Sequence, residues 1–367
     1  MRKYVLLLLK QQKIFFDFLR FCIGSAKEIP DSLKEADWKE LYAIAKKQCL
    51  VGVLFDGIKK LPAEHVGMEK ELLLHWMAES QMLEKANVWQ NDAAIQVSEW
   101  FRKKGFRTCI LKGQGNALLY PNGLHRTPGD IDIWMEGGDK RVISFVRSIS
   151  PHEKACYHHI EFPSYKGVEV EVHYRPSFQL CYWHNRKLQK YYERVKEEQF
   201  SHRVMLGEQG EIAIPTVEFN LIFQLTHIYA HLMNEGIGLR QLLDYYYVLI
   251  SDDLLLIRDR VQKELKELGL WKFAGAIMYI MQEVFGMPAS RLIVPPNEKY
   301  GRFVLNEVLE AGNFGKHDER NRFGKSKLGH NLQRVYRDIR LMRYFPAEAL
   351  SEPIFRTWHF FWRLRHK

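Results

Sequence analysis

Two aspartates stand two positions apart in an otherwise apolar segment between residues 129 and 135. The apolar content predicts a buried β-strand, in which residues two apart point to the same face. Asp130 and Asp132 would then project side by side, and carboxylates that close repel each other unless a cation compensates them. One or two carboxylates together with substrate phosphates are the usual ligands of Mg²⁺. This pattern therefore predicts a strand that presents a divalent-metal site.

The segment from Val168 to His173 predicts a second strand with two further acids, Glu169 and Glu171, on one face. A third carboxylate beside the two aspartates would complete a two-metal site for in-line phosphoryl displacement. We expect Glu171 to be that ligand, because Glu169 lies nearer the start of the strand. His173 shares the face of Glu171, where it either orients the carboxylate through a hydrogen bond or has a purely structural role.

A strand-to-helix turn, Lys112-Gly113-Gln114, lies upstream of the aspartates. Backbone N–H groups at the start of a helix bind phosphate, and glycine permits the close approach of a ligand. Lys112 and Arg126 flank the predicted metal site along the chain and would neutralise the charge of a triphosphate. We therefore expect Lys112, Gly113, Gln114 and Arg126 to contact the phosphates.

Helical periodicity surrounds this central block on both sides, so the fold class is α+β, with a small mixed or antiparallel sheet flanked by helical regions. The predicted strands are 106–111, 131–135, 157–162 and 168–174. The predicted units are an N-terminal helical region at 1–100, an α+β core at 101–178, a helical domain completing the cleft at 179–312 and a C-terminal helical segment at 313–367. His158 and His159, adjacent in one predicted strand, would point to opposite faces.

Two residue pairs lie four positions apart on the helices predicted after residue 215. His227 and His231 share one helix face, where they pack against the neighbouring domain or, alternatively, contact substrate. Arg240 and Asp244 have the spacing of an ordinary intrahelical ion pair. A cleft-facing role for Arg240 and Asp244 is the alternative.

The C-terminal segment carries most of the excess positive charge. From Lys316 to Lys367 there are 13 Lys/Arg against 5 Asp/Glu, a net charge of +8 in a chain whose total is +10. Aromatic residues are interleaved with these basic residues, so the segment is either a solvated basic face or a contact for a polyanion. The polar, glycine-rich stretch from Asn313 to Gly329 predicts a mobile connection.

The five cysteines are scattered and show no C-x-x-C spacing. This pattern predicts reduced thiols in a cytoplasmic protein. The N-terminal apolar run stops at Lys10, and no stretch approaches 18 consecutive apolar residues. We therefore expect an amphipathic first helix and no membrane span.

The order L-K-G, L-Y-P, R-x-x-G-D-I-D-I and E-V-H-Y is similar to that of the bacterial uncharacterised nucleotidyltransferase family. This family lies within the superfamily that shares a polymerase-beta-type catalytic domain. The resemblance implies Asp130 and Asp132 as metal ligands, Glu171 as the third carboxylate and Gly113 as the phosphate turn. Gln114 stands where such proteins usually have Ser or Gly, and Glu171 stands where Asp is commoner.

The implied activity is transfer of a nucleoside monophosphate from a nucleoside triphosphate to an acceptor. Two Mg²⁺ ions are the implied cofactors, with Mn²⁺ as an alternative. The acceptor stays open between a small molecule, a protein and RNA. The alternative function is a catalytically inactive module of the same fold that binds nucleotide, nucleic acid or a protein partner, which Gln114 and the basic C-terminal segment motivate. A toxin–antitoxin or defence-type enzyme acting on tRNA or protein is a third hypothesis.

Overall fold

The computed structural model describes residues 2–62, 67–208, 210–316, 318, 320 and 327–366. Over these residues the chain forms fourteen α-helices, a four-stranded sheet and a two-stranded hairpin. The helices are α1 (Arg2–Cys22), α2 (Trp38–Lys47), α3 (Val51–Ile58), α4 (Lys70–Lys103), α5 (Gln114–Ala117), α6 (Gly138–Ile149), α7 (Tyr182–Ser201), α8 (Val217–Asn234), α9 (Leu239–Leu249), α10 (Leu254–Glu267), α11 (Trp271–Glu283), α12 (Glu298–Ala311), α13 (Lys327–Met342) and α14 (Pro346–Arg365). The strands are β1 (Thr108–Ile110), β2 (Ile131–Met135), β3 (His159–Tyr165), β4 (Val168–His173), β5 (Arg203–Leu206) and β6 (Gly210–Ala213).

The four-stranded sheet is mixed, with the spatial order β1-β2-β4-β3. The central strands β2 and β4 run parallel, whereas β1 pairs with β2 and β3 pairs with β4 in antiparallel fashion. The register places Asp132 directly beside Glu171. The α+β fold class with a small mixed sheet flanked by helical regions is confirmed.

Strand β2 is buried along its whole length and contributes its two faces to two different apolar cores. Ile131 and Ile133 belong to a core formed by the sheet with α4 and α6. Trp134 belongs to the larger helical core, where its ring stacks on Phe219 of α8 with centroids 5.8 Å apart. Because side chains alternate along a strand, Asp132 points to the same side as Trp134, between the sheet and the helices.

Helix α8 is the central element of the helical body and packs against α9, α10 and α13. It begins after Thr216, whose side chain accepts a hydrogen bond from the Phe219 backbone N–H. Nearly every face of α8 is buried, which is the pattern of a helix enclosed on all sides. This position brings His227 to the edge of the sheet.

The structure differs from the predicted elements at several places. The β5–β6 hairpin was not predicted, because its strands have only four residues each, which is too short to show a period of two. Within the predicted N-terminal helical region, apolar residues recur at helical spacing from Leu33 to Leu61, but the structure divides this stretch into a 3₁₀ helix at Asp31–Glu35, then α2 and α3. Cys49 lies between α2 and α3 with φ +55°, a conformation that a continuous helix does not contain.

Part of the stretch from Asn313 to Gly329 lies outside the described residues, so its predicted mobility stays an expectation. The predicted boundaries between the four units also stay predictions. Across the described parts of the chain, no helix combines the length and the apolar character that a bilayer crossing requires.

Candidate active site

Three carboxylates converge where β2 and β4 lie side by side. Ligand oxygens of Asp130, Asp132 and Glu171 all lie within 4.8 Å of one another. Asp132 and Glu171 are neighbours in the parallel register, and Asp130 directly precedes β2 on the same face. Glu169, the other acid considered for the third position, is exposed near the start of β4. The structure thus brings together the three carboxylates that were predicted as metal ligands.

Asp132 is 3% exposed and has two close donors. Lys112 Nζ lies 2.9 Å from Asp132 Oδ1, and His173 Nε2 lies 3.0 Å from the same oxygen. Burial alone would raise the pKa of Asp132, but attraction to Lys112 and the hydrogen bond from His173 outweigh it and hold that pKa below its usual range. The structure therefore places His173 beside a carboxylate that was predicted as a metal ligand, as the orienting role requires.

Asp130 is in a different electrostatic state, because it forms no ion pair with any described residue. Repulsion from Asp132, with burial as the second cause, raises the pKa of Asp130 to about 6. The donor set is all oxygen, and its negative charge is only partly compensated by Lys112 and His173. These residues fit a hard divalent cation, which favours carboxylate ligands.

The Gly113 turn approaches this site from β1. Gly113 has φ +57° and ψ −108°, a backbone conformation in which a side chain would be strained. The backbone N–H groups of Gly113 and Gln114 donate no hydrogen bond to another described residue, so both can bind a ligand oxygen. The Gln114 side chain is 2% exposed, and its Oε1 has no hydrogen-bond partner among the described residues. Gln114 stands where similar proteins usually have Ser or Gly. Its side chain packs inward, and its backbone forms part of the turn.

Arg126 forms a buried bidentate ion pair with Asp244 of α9. Arg126 Nε and Nη2 each lie 2.8 Å from a different Asp244 oxygen, and Tyr120 Oη donates to Asp244 Oδ1 at 2.7 Å. Asp244 was expected to pair within its own helix with Arg240, whose Nη1 donates to the Thr127 carbonyl oxygen at 2.9 Å. The predicted contact between Arg126 and substrate phosphate stays a prediction.

His227 reaches Lys112 from the helical body. Lys112 Nζ lies 3.1 Å from His227 Nε2, and the His227 and His231 rings lie 4.2 Å apart between centroids. Burial first, and then the neighbouring Lys112 charge, lower the pKa of His227 well below its ordinary value, so the ring is neutral and accepts a hydrogen bond from Lys112. Both histidines line the same cavity as the carboxylates. Their spacing in the sequence indicated a shared face, but only the packing of α8 shows what that face meets.

A cluster of three histidines lies on the β3 side of the carboxylates. The rings of His158, His159 and His173 lie 4.4 to 5.3 Å apart between centroids. The expectation that His158 and His159 point to opposite faces is wrong, since His158 Nε2 lies 3.1 Å from His159 Nδ1. Strand β3 begins only at His159, so His158 belongs to the preceding bend and does not follow strand alternation. Burial lowers the pKa of His159 to about 4.

The carboxylates open into a cavity of about 710 Å³. Its opposite wall is formed by α13 and α14, whose Arg334, Arg356 and His359 side chains line it together with the Phe355 ring. Arg356 Nη1 and His359 Nε2 are buried atoms with no hydrogen-bond partner among the described residues. The basic C-terminal segment therefore faces the predicted metal site across the cavity.

Fold and site together define a class of protein: a nucleotidyltransferase-type α+β sheet, with a D-x-D strand at its centre, set against a helical body. The chain belongs to the family of uncharacterised nucleotidyltransferases, whose model matches residues 34–286. An antigenic nucleotidyltransferase-like protein from Paracoccidioides brasiliensis is similar at 15% sequence identity, with 52% of this chain and 94% of that chain covered and a TM-score of 0.27. A similarity of that size supports no inference about substrate. No curated protein matches the chain.

Proposed function

We propose that the protein is a magnesium-dependent nucleotidyltransferase that moves a nucleoside monophosphate from a nucleoside triphosphate to an acceptor. The observation that carries this proposal is the convergence of Asp130, Asp132 and Glu171 within 4.8 Å. Family membership supports the reaction class, because nucleotidyl transfer needs a site of this kind. The convergence also favours a catalytic site over an inactive binding module, since mutually repelling buried carboxylates are costly without a cation.

Asp130, Asp132 and Glu171 would hold the metal, as two Mg²⁺ ions or with Mn²⁺ in their place. When bound, Mg²⁺ supplies positive charge that stabilises both the attacking acceptor oxygen and the leaving pyrophosphate. In the reaction the acceptor oxygen forms a bond to the α-phosphorus, the bond from that phosphorus to the bridging oxygen breaks, and pyrophosphate leaves.

The turn at Gly113 would bind the triphosphate. Gly113, whose backbone N–H group is unpaired among the described residues, and Lys112 line a smaller cavity together with Asp130 and Asp132, and this cavity adjoins the main one. Charged donors and backbone amides are the groups that bind phosphate oxygens. Neutral His227 would position Lys112 by accepting its hydrogen bond.

The acceptor would occupy the part of the cavity next to the C-terminal helices. Arg334, Arg356 and His359 line this part, and two of their nitrogen atoms lack partners. The arginine side chains at this wall suit an acceptor with anionic or hydrogen-bond-accepting groups, whether it is a small molecule, a protein or RNA. The proposed polyanion contact of the basic segment is thus directed into the cavity.

The test measures the transfer of radioactive label from a nucleoside triphosphate to an acceptor. Each nucleoside triphosphate carries a radioactive α-phosphate and is supplied separately, with Mg²⁺ and with one acceptor class at a time. We expect transfer by the wild type and a loss on the order of 10²–10³ in Asp130→Asn and in Asp132→Asn. Glu161→Gln is the control, because it changes an exposed acid of the same sheet outside the cavity.

Unchanged transfer in both aspartate variants would refute the proposal. Calorimetric binding of a nucleotide by the wild type without turnover on any acceptor would instead support the inactive binding module.

A further inference from the structure

A second donor set shares Glu171 but is chemically different from the aspartate pair. His159 Nδ1, Glu171 Oε2 and His173 Nε2 all lie within 4.8 Å of one another. Glu171 Oε2 is 3.2 Å from His159 Nδ1 and 3.4 Å from His173 Nε2. Two imidazoles and one carboxylate therefore converge on one point at the side of the cavity.

The separations between these atoms match those between ligands of one metal ion. With metal–donor bonds of about 2.0–2.2 Å, two donors at octahedral or tetrahedral angles lie roughly 3.0–3.5 Å apart. Both contacts of Glu171 Oε2 fall in this range. An ion could therefore bind here with little movement of the strands, and it would replace the proton through which His173 Nε2 donates to Asp132 Oδ1 at 3.0 Å.

The strands hold the three side chains rigidly. His159 and His173 face each other in the antiparallel register of β3 and β4, and Glu171 lies two residues before His173 on the same face. His173 is 4% exposed and Glu171 is about one-third exposed, so the set is anchored in the core and open to the cavity. A site on two paired strands is better defined than one on loops.

The neighbours of this set add softer donors. His158 Nε2 lies 3.1 Å from His159 Nδ1, and Cys156 Sγ lies 3.5 Å from His158 Nδ1. Cys156, His158 and His159 also offer ligand atoms within 4.8 Å of one another. Asp130 and Asp132 offer oxygen atoms only, whereas nitrogen and sulfur atoms extend from Glu171 towards β3. One of these nitrogens, His173 Nε2, also lies 3.0 Å from Asp132 Oδ1.

We propose that His159, Glu171 and His173 bind a divalent transition-metal ion of the Mn²⁺, Co²⁺ or Zn²⁺ type. Imidazole nitrogen is a good ligand for these ions, whereas Mg²⁺ prefers oxygen ligands throughout. The inference rests on the proposed function in one respect: Glu171 would bridge this ion and the metal of the aspartate pair. Two His and one carboxylate on one side leave positions of the ion open towards the cavity, where a phosphate or acceptor oxygen can bind.

The test uses the full chain, treated with chelator and titrated with Co²⁺, whose visible d–d absorption reports its ligands. We expect one equivalent of Co²⁺ to give a band stronger than that of the hydrated ion, which a large excess of Mg²⁺ does not remove. His159→Asn should abolish the band or weaken Co²⁺ binding about 100-fold or more, since even outer groups of metal sites contribute about 10–100-fold. His152→Asn, at an exposed histidine outside the cavity, should leave the titration unchanged.

Asp130→Asn separates the two proposals, because Asp130 is not in the histidine set. Loss of nucleotide transfer with the Co²⁺ band retained supports both. If the wild type shows the Co²⁺ band but transfers no nucleotide, the proposed function is refuted and the proposed metal site is still supported. A missing band, a band that Mg²⁺ removes at equal concentration, or a band unchanged in both His159→Asn and Glu171→Gln would overturn the metal site. The second variant keeps the test valid if one of the two fails to fold.

Discussion

Asp244 is a buried carboxylate whose charge is compensated by a residue from a distant part of the chain. Its side chain is 5% exposed, and it accepts two hydrogen bonds from Arg126 and one from Tyr120. Burial raises the pKa of Asp244, but the attraction and hydrogen bonds of Arg126 outweigh it and hold that pKa below the usual value. A buried ion pair of this kind adds little by itself, but the loss of one partner leaves an uncompensated charge.

We expect Arg126→Met to lower the free energy of unfolding by about 3–5 kcal/mol at neutral pH, because Asp244 would stay buried without its partner. Urea unfolding followed by circular dichroism measures this. Arg107→Met is the matched control, since Arg107 also forms a two-point contact with Glu136, but on the surface. Exposed pairs contribute about 0–1 kcal/mol, so the control should change stability little. Equal effects of the two substitutions would contradict this account of Asp244.

At the level of secondary-structure elements, α13 and α14 meet through two acids, Asp338 and Glu352. Both are about 5% exposed. Burial first, then repulsion from Glu352, and then the hydrogen bond that protonated Asp338 donates to Glu352, raise the pKa of Asp338 to about 7. The shared proton lets the two carboxyl groups lie together, so the contact between the helices depends on pH.

The sign of this dependence follows from proton binding. An unfolded aspartate loses its proton at about pH 4, whereas folded Asp338 keeps its proton until about pH 7. The folded state therefore binds more protons in this window, and its stability decreases as pH rises from about 4 to 7.

We expect Asp338→Asn to reduce this loss of stability, because asparagine stays neutral at every pH in the window. The free energy of unfolding at a series of pH values measures it, and Asp253→Asn, at an exposed acid before α10, is the control. An identical pH dependence in Asp338→Asn and the wild type would show that Asp338 does not hold the proton.

At the level of the whole molecule, the candidate active site lies where two cores meet. One core is formed by the sheet with α4 and α6, and the other by the helical body. The C-terminal helices close the cavity through Glu348, which is 2% exposed and accepts hydrogen bonds from the Leu180 and Cys181 backbone N–H groups at 2.6 and 3.3 Å. These amides stand at the start of α7, where a carboxylate also interacts favourably with the helix dipole. The Glu348 side chain is thus one of the contacts that hold α14 against the start of α7.

We expect Glu348→Ala to accelerate amide hydrogen exchange in α14 while the exchange of β2 and β4 stays at the wild-type rate. The physical reason is the loss of charge-assisted hydrogen bonds, each worth about 1.5–3 kcal/mol. Hydrogen–deuterium exchange with mass spectrometry measures it, with Glu310→Ala, at an exposed position of α12, as the control. Unchanged exchange in α14 would mean that Glu348 does not anchor the helix.

The sequence alone was sufficient for features that depend on local periodicity. The spacing of Asp130 and Asp132 sets their common direction, because a strand repeats every two residues. The same rule aligns Glu171 with His173. These relations lie within one element, so no knowledge of its neighbours is needed.

Packing of the whole chain decided which distant residues meet. Lys112 and His227 are 115 positions apart, and Arg126 and Asp244 are 118 apart. Periodicity assigned a helix face to His227 and to Asp244 but did not identify the partner of that face. The orientation of His158 depends on the residue at which β3 begins, and the basic C-terminal wall depends on how α14 packs over the cavity. Such contacts follow from burial and charge compensation summed over the folded chain, which no single segment encodes.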